Sequence, residues 1–216
     1  MTPTASPTID TLADLFERIG NVPAERIRLR PAPGSATIQD VLDIERREGK
    51  ICELVEGVLV EKAAGFSESV LAAFVACSLN SFVIPRNLGI VTGAKGPVEL
   101  MPRLVRIPDV AFTSWDRMPG RRCPTEPIPQ LVPNLAVGVM KRDNTPGEMS
   151  VKRRDYFSAG VGVVWEMDPD TRTVDVYTSP TQHTTLTATD TLEGGIALPG
   201  FTLPVQALFA ELDRHG

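Results

Sequence analysis

Three segments of this sequence hold charged side chains where apolar ones would be expected, and their types suit phosphate chemistry. Asp109 follows Pro108 inside RIPDVAFTS, an otherwise apolar run over residues 106–114. The run NLAVGVMK (134–141) ends at Lys141, and Lys152 lies four residues before Tyr156 on the next helical segment. An acid inside a buried strand costs free energy unless it has a partner. A divalent cation is one such partner, because Mg2+ takes carboxylate oxygens and keeps waters for reaction. A nearby lysine can orient or help deprotonate an attacking water. The residue types therefore point to metal-assisted hydrolysis.

Other chemistries have little to work with. Cys52, Cys77 and Cys123 are an odd number with no CxxC pair, which fits a reduced cytoplasmic chain better than a disulfide framework. The two histidines, His183 and His215, make a zinc site or a Ser-His-Asp triad improbable, and His215 is the penultimate residue. His183 reads as incidental. Trp165 and Met167 fit a core strand, and Tyr156 fits a packing role.

The elements that must hold these residues follow from the pattern around them. TLADLFERI is a short amphipathic helix, and RLRPAPGSA then breaks regular structure. TIQDVLDIERREGK is a helix capped by Thr37 and ended near Gly49. CELVEGVLVEK (52–62) reads as a β-hairpin with Glu56-Gly57 at its turn. Residues 68–84 form a helix followed by Pro85. Short strands are expected at 89–93, 97–101, 106–114 and 134–141, with a loop rich in Pro, Arg and Gly over 116–133. NTPGEMSVKRRDYFSAG (144–160) is a helix with Thr145 as cap, Pro146 at its first position and Gly160 past its end. GVVWEMD and TVDVYTS pair around Pro169-Asp170, a further strand lies near 183–186, and a short helix closes the chain. Strands mixed with a few helices give an α/β (α+β) class with one central sheet.

Length and composition set the frame. With 216 residues, 42% of them hydrophobic, the chain affords one cored domain with a modest extension. Residues 1–36 read as that N-terminal extension, 37–212 as the domain and 213–216 as a tail. No run approaches ~20 apolar residues, so no spanning helix and no membrane partner are expected. The N-terminus lacks a secretory pattern, which fits a cytoplasmic setting. The net charge of −5, from 22 basic and 27 acidic residues, argues against a general nucleic-acid coat protein. The charge is uneven, however. Residues 101–154 hold ten basic and five acidic side chains, a net +5, which leaves −10 elsewhere. The basic stretch holds Asp109 and Lys152, and a phosphate backbone would be drawn to it.

The segments ELVEGVLVEK, RIPDVAF, PNLAVGV, KRRDYFSAGV, VVWEMDP and DTLEGGIALPGFTLPVQALF together resemble the Uma-type restriction endonuclease family of the PD-(D/E)XK nuclease superfamily. The likeness runs over roughly residues 37–212. It implies a restriction-endonuclease-like core, a mixed sheet flanked by helices, with acids on adjacent strands holding Mg2+ for hydrolysis of DNA phosphodiesters. On that resemblance Asp109 is the strand aspartate that holds the metal and Lys152 is the catalytic lysine. Glu56 matches an acid of the hairpin, and Glu68 a polar position on the first core helix. One position departs from the family pattern: the second metal-binding acid is replaced by Gly138, which would weaken or abolish Mg2+ binding unless Asp143 or Glu99 supplies an oxygen. Three functions follow from this reading. The first is a Mg2+-dependent endonuclease, with the Arg-rich loop gripping phosphates. Alternatively the chain is a catalytically impaired nuclease fold that binds DNA or serves as an interaction module. The third option is a homodimer with no nucleic-acid role.

Overall fold

The structure, a computed structural model, describes residues 9–63 and 65–215. Residues 1–8 of the extension and Gly216 of the tail lie outside the described residues.

Local chemistry accounts for most of the elements. The helix α1 (Leu12–Arg18) and the helix α2 (Ile38–Glu48) each begin on a reciprocal cap, Thr11 with Asp14 and Thr37 with Asp40. Gly49 ends α2 in the left-handed region at φ 68°. Between these helices lies the two-residue strand β1 (Ile27–Arg28). The strands β2 (Cys52–Val55) and β3 (Val58–Glu61) form the expected hairpin. Its turn residues Glu56 and Gly57 both have positive φ, 49° and 85°, as a tight two-residue turn requires.

The helix α3 (Phe66–Val83) is 18 residues long and, by length and composition alone, apolar enough to cross a membrane. Its Leu71, Val75, Leu79 and Val83 are instead buried in the protein's own core. There follow β4 (Gly89–Thr92), β5 (Val98–Met101), β6 (Leu104–Arg106), β7 (Val110–Ser114) and β8 (Leu135–Val139). The helix α4 (Pro146–Ala159) starts on the Thr145 cap and stops at Gly160, φ 99°. The strands β9 (Val163–Asp168), β10 (Thr173–Tyr177), β11 (His183–Leu186), β12 (Thr191–Glu193) and β13 (Thr202–Pro204) and the helix α5 (Val205–Ala210) complete the chain.

The α+β class holds, but the strands are shared among several sheets. Five strands in the order β1-β3-β2-β6-β5 pair antiparallel throughout. Six strands in the order β11-β10-β9-β8-β7-β4 form a mixed sheet in which only β8 and β9 run parallel. The helix α4 connects that parallel pair, as a parallel connection requires. Alternation along β8 sends Leu135, Val137 and Val139 into the core with α3, and Ala136 into the opposite core with Tyr156 of α4.

The expected single strand over 106–114 is in fact two strands in two different sheets. Pro108 has no N–H to give to a ladder, and the chain breaks pairing over Ile107–Asp109. This break is the seam where the chain passes from the five-stranded sheet to the six-stranded one, and the residues proposed for chemistry gather around it.

Candidate functional site

Asp109 enters β7 with its backbone N–H on the Val137 carbonyl at 2.9 Å. Its side chain accepts the next free donor of β8, the Val139 N–H, at 2.8 Å. Two lysines complete its surroundings. Lys141 Nζ donates to both carboxylate oxygens at 3.1 and 3.2 Å, and Lys62 Nζ lies 3.0 Å from Oδ1. Burial pushes the Asp109 carboxyl up, but the ammoniums of Lys62 and Lys141 outweigh it and hold the group below its ordinary value. Lys62, one residue past β3, is pinned across the seam by the carbonyls of Ile107 at 2.6 Å, Ala94 at 3.2 Å and Pro108 at 3.3 Å. Burial pulls its ammonium down, against the opposing pull of Asp109 and Glu53.

Glu53 on β2 fills the other side of the seam and is almost completely buried. It accepts the Ile107 N–H orphaned by the break at 3.1 Å and the Arg106 guanidinium at 2.8 Å. Arg106 also donates to Asp155 of α4. Burial pushes Glu53 up, yet Lys152, Arg106 and Lys62 hold it well below its ordinary value. Lys152 reaches Glu53 at 3.3 Å and Glu148, one helical turn earlier, at 3.0 Å. Glu148 is gripped by Arg26 and held at about 2, the cations overcoming the upward push of burial.

The ion pairs at the site fall into three groups. Arg26, Glu148, Lys152, Glu53, Arg106 and Asp155 form one inward-facing chain with as many cations as carboxylates, and the exposed Arg154 approaches Asp155 from outside at 4.0 Å. Arg153 and Glu166 form a balanced pair. Lys62, Asp109 and Lys141 do not balance: two ammoniums share one carboxylate. The surplus positive charge of this group therefore sits on Lys62 and Lys141, around Asp109. It faces a cavity of about 380 Å3 lined by Lys50, Lys62, Glu68, Lys95, Asp109 and Lys141, among others. A smaller pocket behind it is walled by Asp109, Gly138, Lys141, Lys152, Tyr156 and Glu166, among others.

The structure thus brings together Asp109, Lys152 and the empty side-chain position at Gly138. Glu68 lies on the rim of the larger cavity, where Ser67 Oγ donates to it at 3.1 Å. Glu56 is placed elsewhere. It sits at the hairpin turn, half exposed, and pairs with Arg18 at 3.4 Å. The hairpin acid at the seam is Glu53. Its signal in the sequence is the same one that marked Asp109, an acid flanked by apolar residues in a strand. Neither Asp143 nor Glu99 lines the cavity or the pocket.

The Arg-rich loop is largely spent on the fold. Arg117 donates to the carbonyls of Val132, Pro133 and Gly160, and Arg121 pairs with Asp116. Arg106 is buried on Glu53 and Asp155, and Arg153 holds both oxygens of Glu166 while stacking over Tyr177.

This donor set does not fit a divalent cation. Mg2+ keeps several waters and is held by one or two carboxylates that are free to face it. Asp109 offers one carboxylate, already shared by two ammoniums and a backbone N–H. Among the described residues no group of three or more His, Cys, Asp or Glu could hold a metal.

Comparison with known proteins bears on this geometry in two ways. The Uma2 family model, described as "Putative restriction endonuclease", matches residues 38–206. A crystal structure described as a putative nuclease belonging to DUF820, from Anabaena variabilis, superposes with a TM-score of 0.67 at 18% identity, covering 75% of this chain and 91% of that one. At that identity the likeness establishes the fold. No curated protein matches the chain.

Proposed function

The chain belongs to the Uma2 putative restriction endonuclease family, and from that premise we propose that it is a nuclease-fold protein that binds the DNA backbone but is impaired in metal-dependent cleavage. One observation carries this reading: the carboxylate that the family pattern gives to Mg2+ is held by Lys62 and Lys141, and the neighbouring strand position is Gly138. Restriction-endonuclease-like proteins generally use a divalent metal. Here a cation brought to Asp109 would meet two ammoniums at ~3 Å and only one acid, and like charges at that range repel strongly in a poorly hydrated pocket.

The same arrangement suits an anion. The Lys62–Asp109–Lys141 group has one positive charge more than it can neutralise internally, and lysine binds phosphate as a point charge. Lys95 lines the same cavity, where Lys50 is paired with Glu61. A phosphate of the DNA backbone would be held there by charge, with an affinity that falls steeply with salt. The alternative, a fully active Mg2+-dependent endonuclease with Asp109 as metal ligand and Lys152 assisting water, needs a second carboxylate at the strand position that Gly138 occupies, and Glu166 in the same pocket is held by Arg153.

The test compares the natural protein with Gly138→Glu on supercoiled DNA in Mg2+ or Mn2+. The reading expects the natural protein to bind the DNA without nicking it and the variant to cut. Equal cutting by both would overturn it.

A further inference from the structure

The family match begins at residue 38, yet a side chain from before that point enters the site. Arg26 closes the short turn Ala24–Arg26, immediately before β1 adds to the edge of the five-stranded sheet. It is only 7% exposed. Its guanidinium grips Glu148 with two parallel bonds of 2.9 and 2.8 Å, and it also donates to the carbonyls of Glu61 at 2.9 Å and Asp143 at 3.3 Å. Such a fork-to-carboxylate pair fixes orientation as well as charge.

The segment that delivers Arg26 is itself clamped to the start of α4. Thr145 Oγ1 donates to the Gly20 carbonyl at 2.7 Å while accepting the Glu148 N–H at 3.0 Å. Gly20, at φ 77°, lies against Gly147 so closely that a Cβ on either would strike the other's backbone. The arm therefore docks where α4 begins, one turn from Lys152.

We infer that Arg26 is a positioning residue of the site: by neutralising Glu148 it leaves Lys152 shared between Glu148 and Glu53, turned into the pocket beside Asp109. With Arg26 present, and the exposed Arg154 at the far end on Asp155 set aside, its chain of ion pairs has three cations for three carboxylates. Without it, two cations serve three carboxylates, and Lys152 becomes the only cation on Glu148. Lys152 is then drawn onto Glu148 and away from Glu53, so its nitrogen is less open to the pocket. The inference rests on the proposed function only for what Lys152 meets in the pocket; its position can be read with no DNA present.

The experiment is site-resolved acylation of the folded full-length protein by an amine-reactive reagent, with each lysine followed by peptide mass spectrometry. Arg26→Met should slow modification of Lys152 several-fold and leave Lys50 and Lys95 unchanged. The double variant Arg26→Met/Glu148→Met, which restores the balance, should return Lys152 to the natural rate, and so should Arg26→Lys, which keeps the charge. A merely structural arm would lower the melting temperature of Arg26→Met with no selective change at Lys152. That result, or a faster Lys152 reaction, overturns the inference. Should Arg26→Met fail to fold, the comparison rests on Arg26→Gln against the double variant, with the same two outcomes.

Discussion

Gly138 on β8 stands in register with Glu166 on β9, and both line the pocket behind Asp109. A Cβ at 138 would meet only Met149 Cε, at an ordinary 3.8 Å. The space for a side chain is there and the side chain is missing. Glu166 does not stand in for it, since Arg153 holds its oxygens at 3.0 and 2.8 Å and burial pushes its carboxyl up. The one acid left at the junction of β7 and β8 is Asp109, and lysines have taken the role of its counter-charge.

The seam between the sheets depends on Arg106, which holds the buried carboxylates of Glu53 and Asp155 together. Arg106→Met keeps much of the side-chain volume but leaves two acids facing one another. Breaking a buried pair from one side costs about 3–5 kcal/mol, and urea unfolding should show a loss of that size. A change below 1 kcal/mol would mean the pair is not desolvated.

Acid should weaken the fold through the same residues. Glu148 is held at about 2 against an ordinary 4.5. Its contribution is present above the ordinary value and is lost as pH falls through the folded one. A shift of that size corresponds to about 3 kcal/mol. Asp109 and Glu53 are lowered and act with the same sign. Glu166 is raised and acts with the opposite one. Stability measured by chemical unfolding should therefore fall between about pH 5 and pH 2, and Glu148→Gln should flatten part of that slope.

Much of this was legible in the sequence because it is local. Caps at Thr37 and Thr145, the Glu56-Gly57 turn and the stop at Gly160 are written within a few residues of the structure they make. The break at Pro108 was hidden, since apolar residues on both sides gave no sign that they join different sheets. Asp109, Lys152 and Gly138 stand out by residue type and family pattern. Glu53 carries the same sign as Asp109, an acid among apolar strand residues, whereas Lys62 and Arg26 carry none, because their partners lie 35 to 122 residues away along the chain. Nor does the sequence say which arginines of a basic stretch are consumed by carbonyls and buried acids, as Arg117 and Arg106 are.

The thiols should divide by burial. Cys52 is fully buried, and burial pushes its thiol up to about 11, whereas Cys77 and Cys123 are exposed. The thiolate is the reactive form. Native protein should take two equivalents of an alkylating reagent promptly and the third only on unfolding; three prompt equivalents would contradict the packing of β2 against α2.

Lys141 should matter to DNA binding more than to stability. Replacing it with Ala removes one of two cations on Asp109 and leaves Lys62 in place. The slope of log affinity against log salt should shrink by about one unit, measured by fluorescence anisotropy on a short duplex. An unchanged slope would place the phosphate elsewhere.

The central claim is that lysine, not a metal ion, balances Asp109. Mn2+ binding read from the free-ion electron paramagnetic resonance signal tests it without any substrate. The account expects the natural protein to leave Mn2+ free and Gly138→Glu to bind it in a manner abolished by Asp109→Ala. Tight Mn2+ binding by the natural protein, lost in Asp109→Ala, would contradict it.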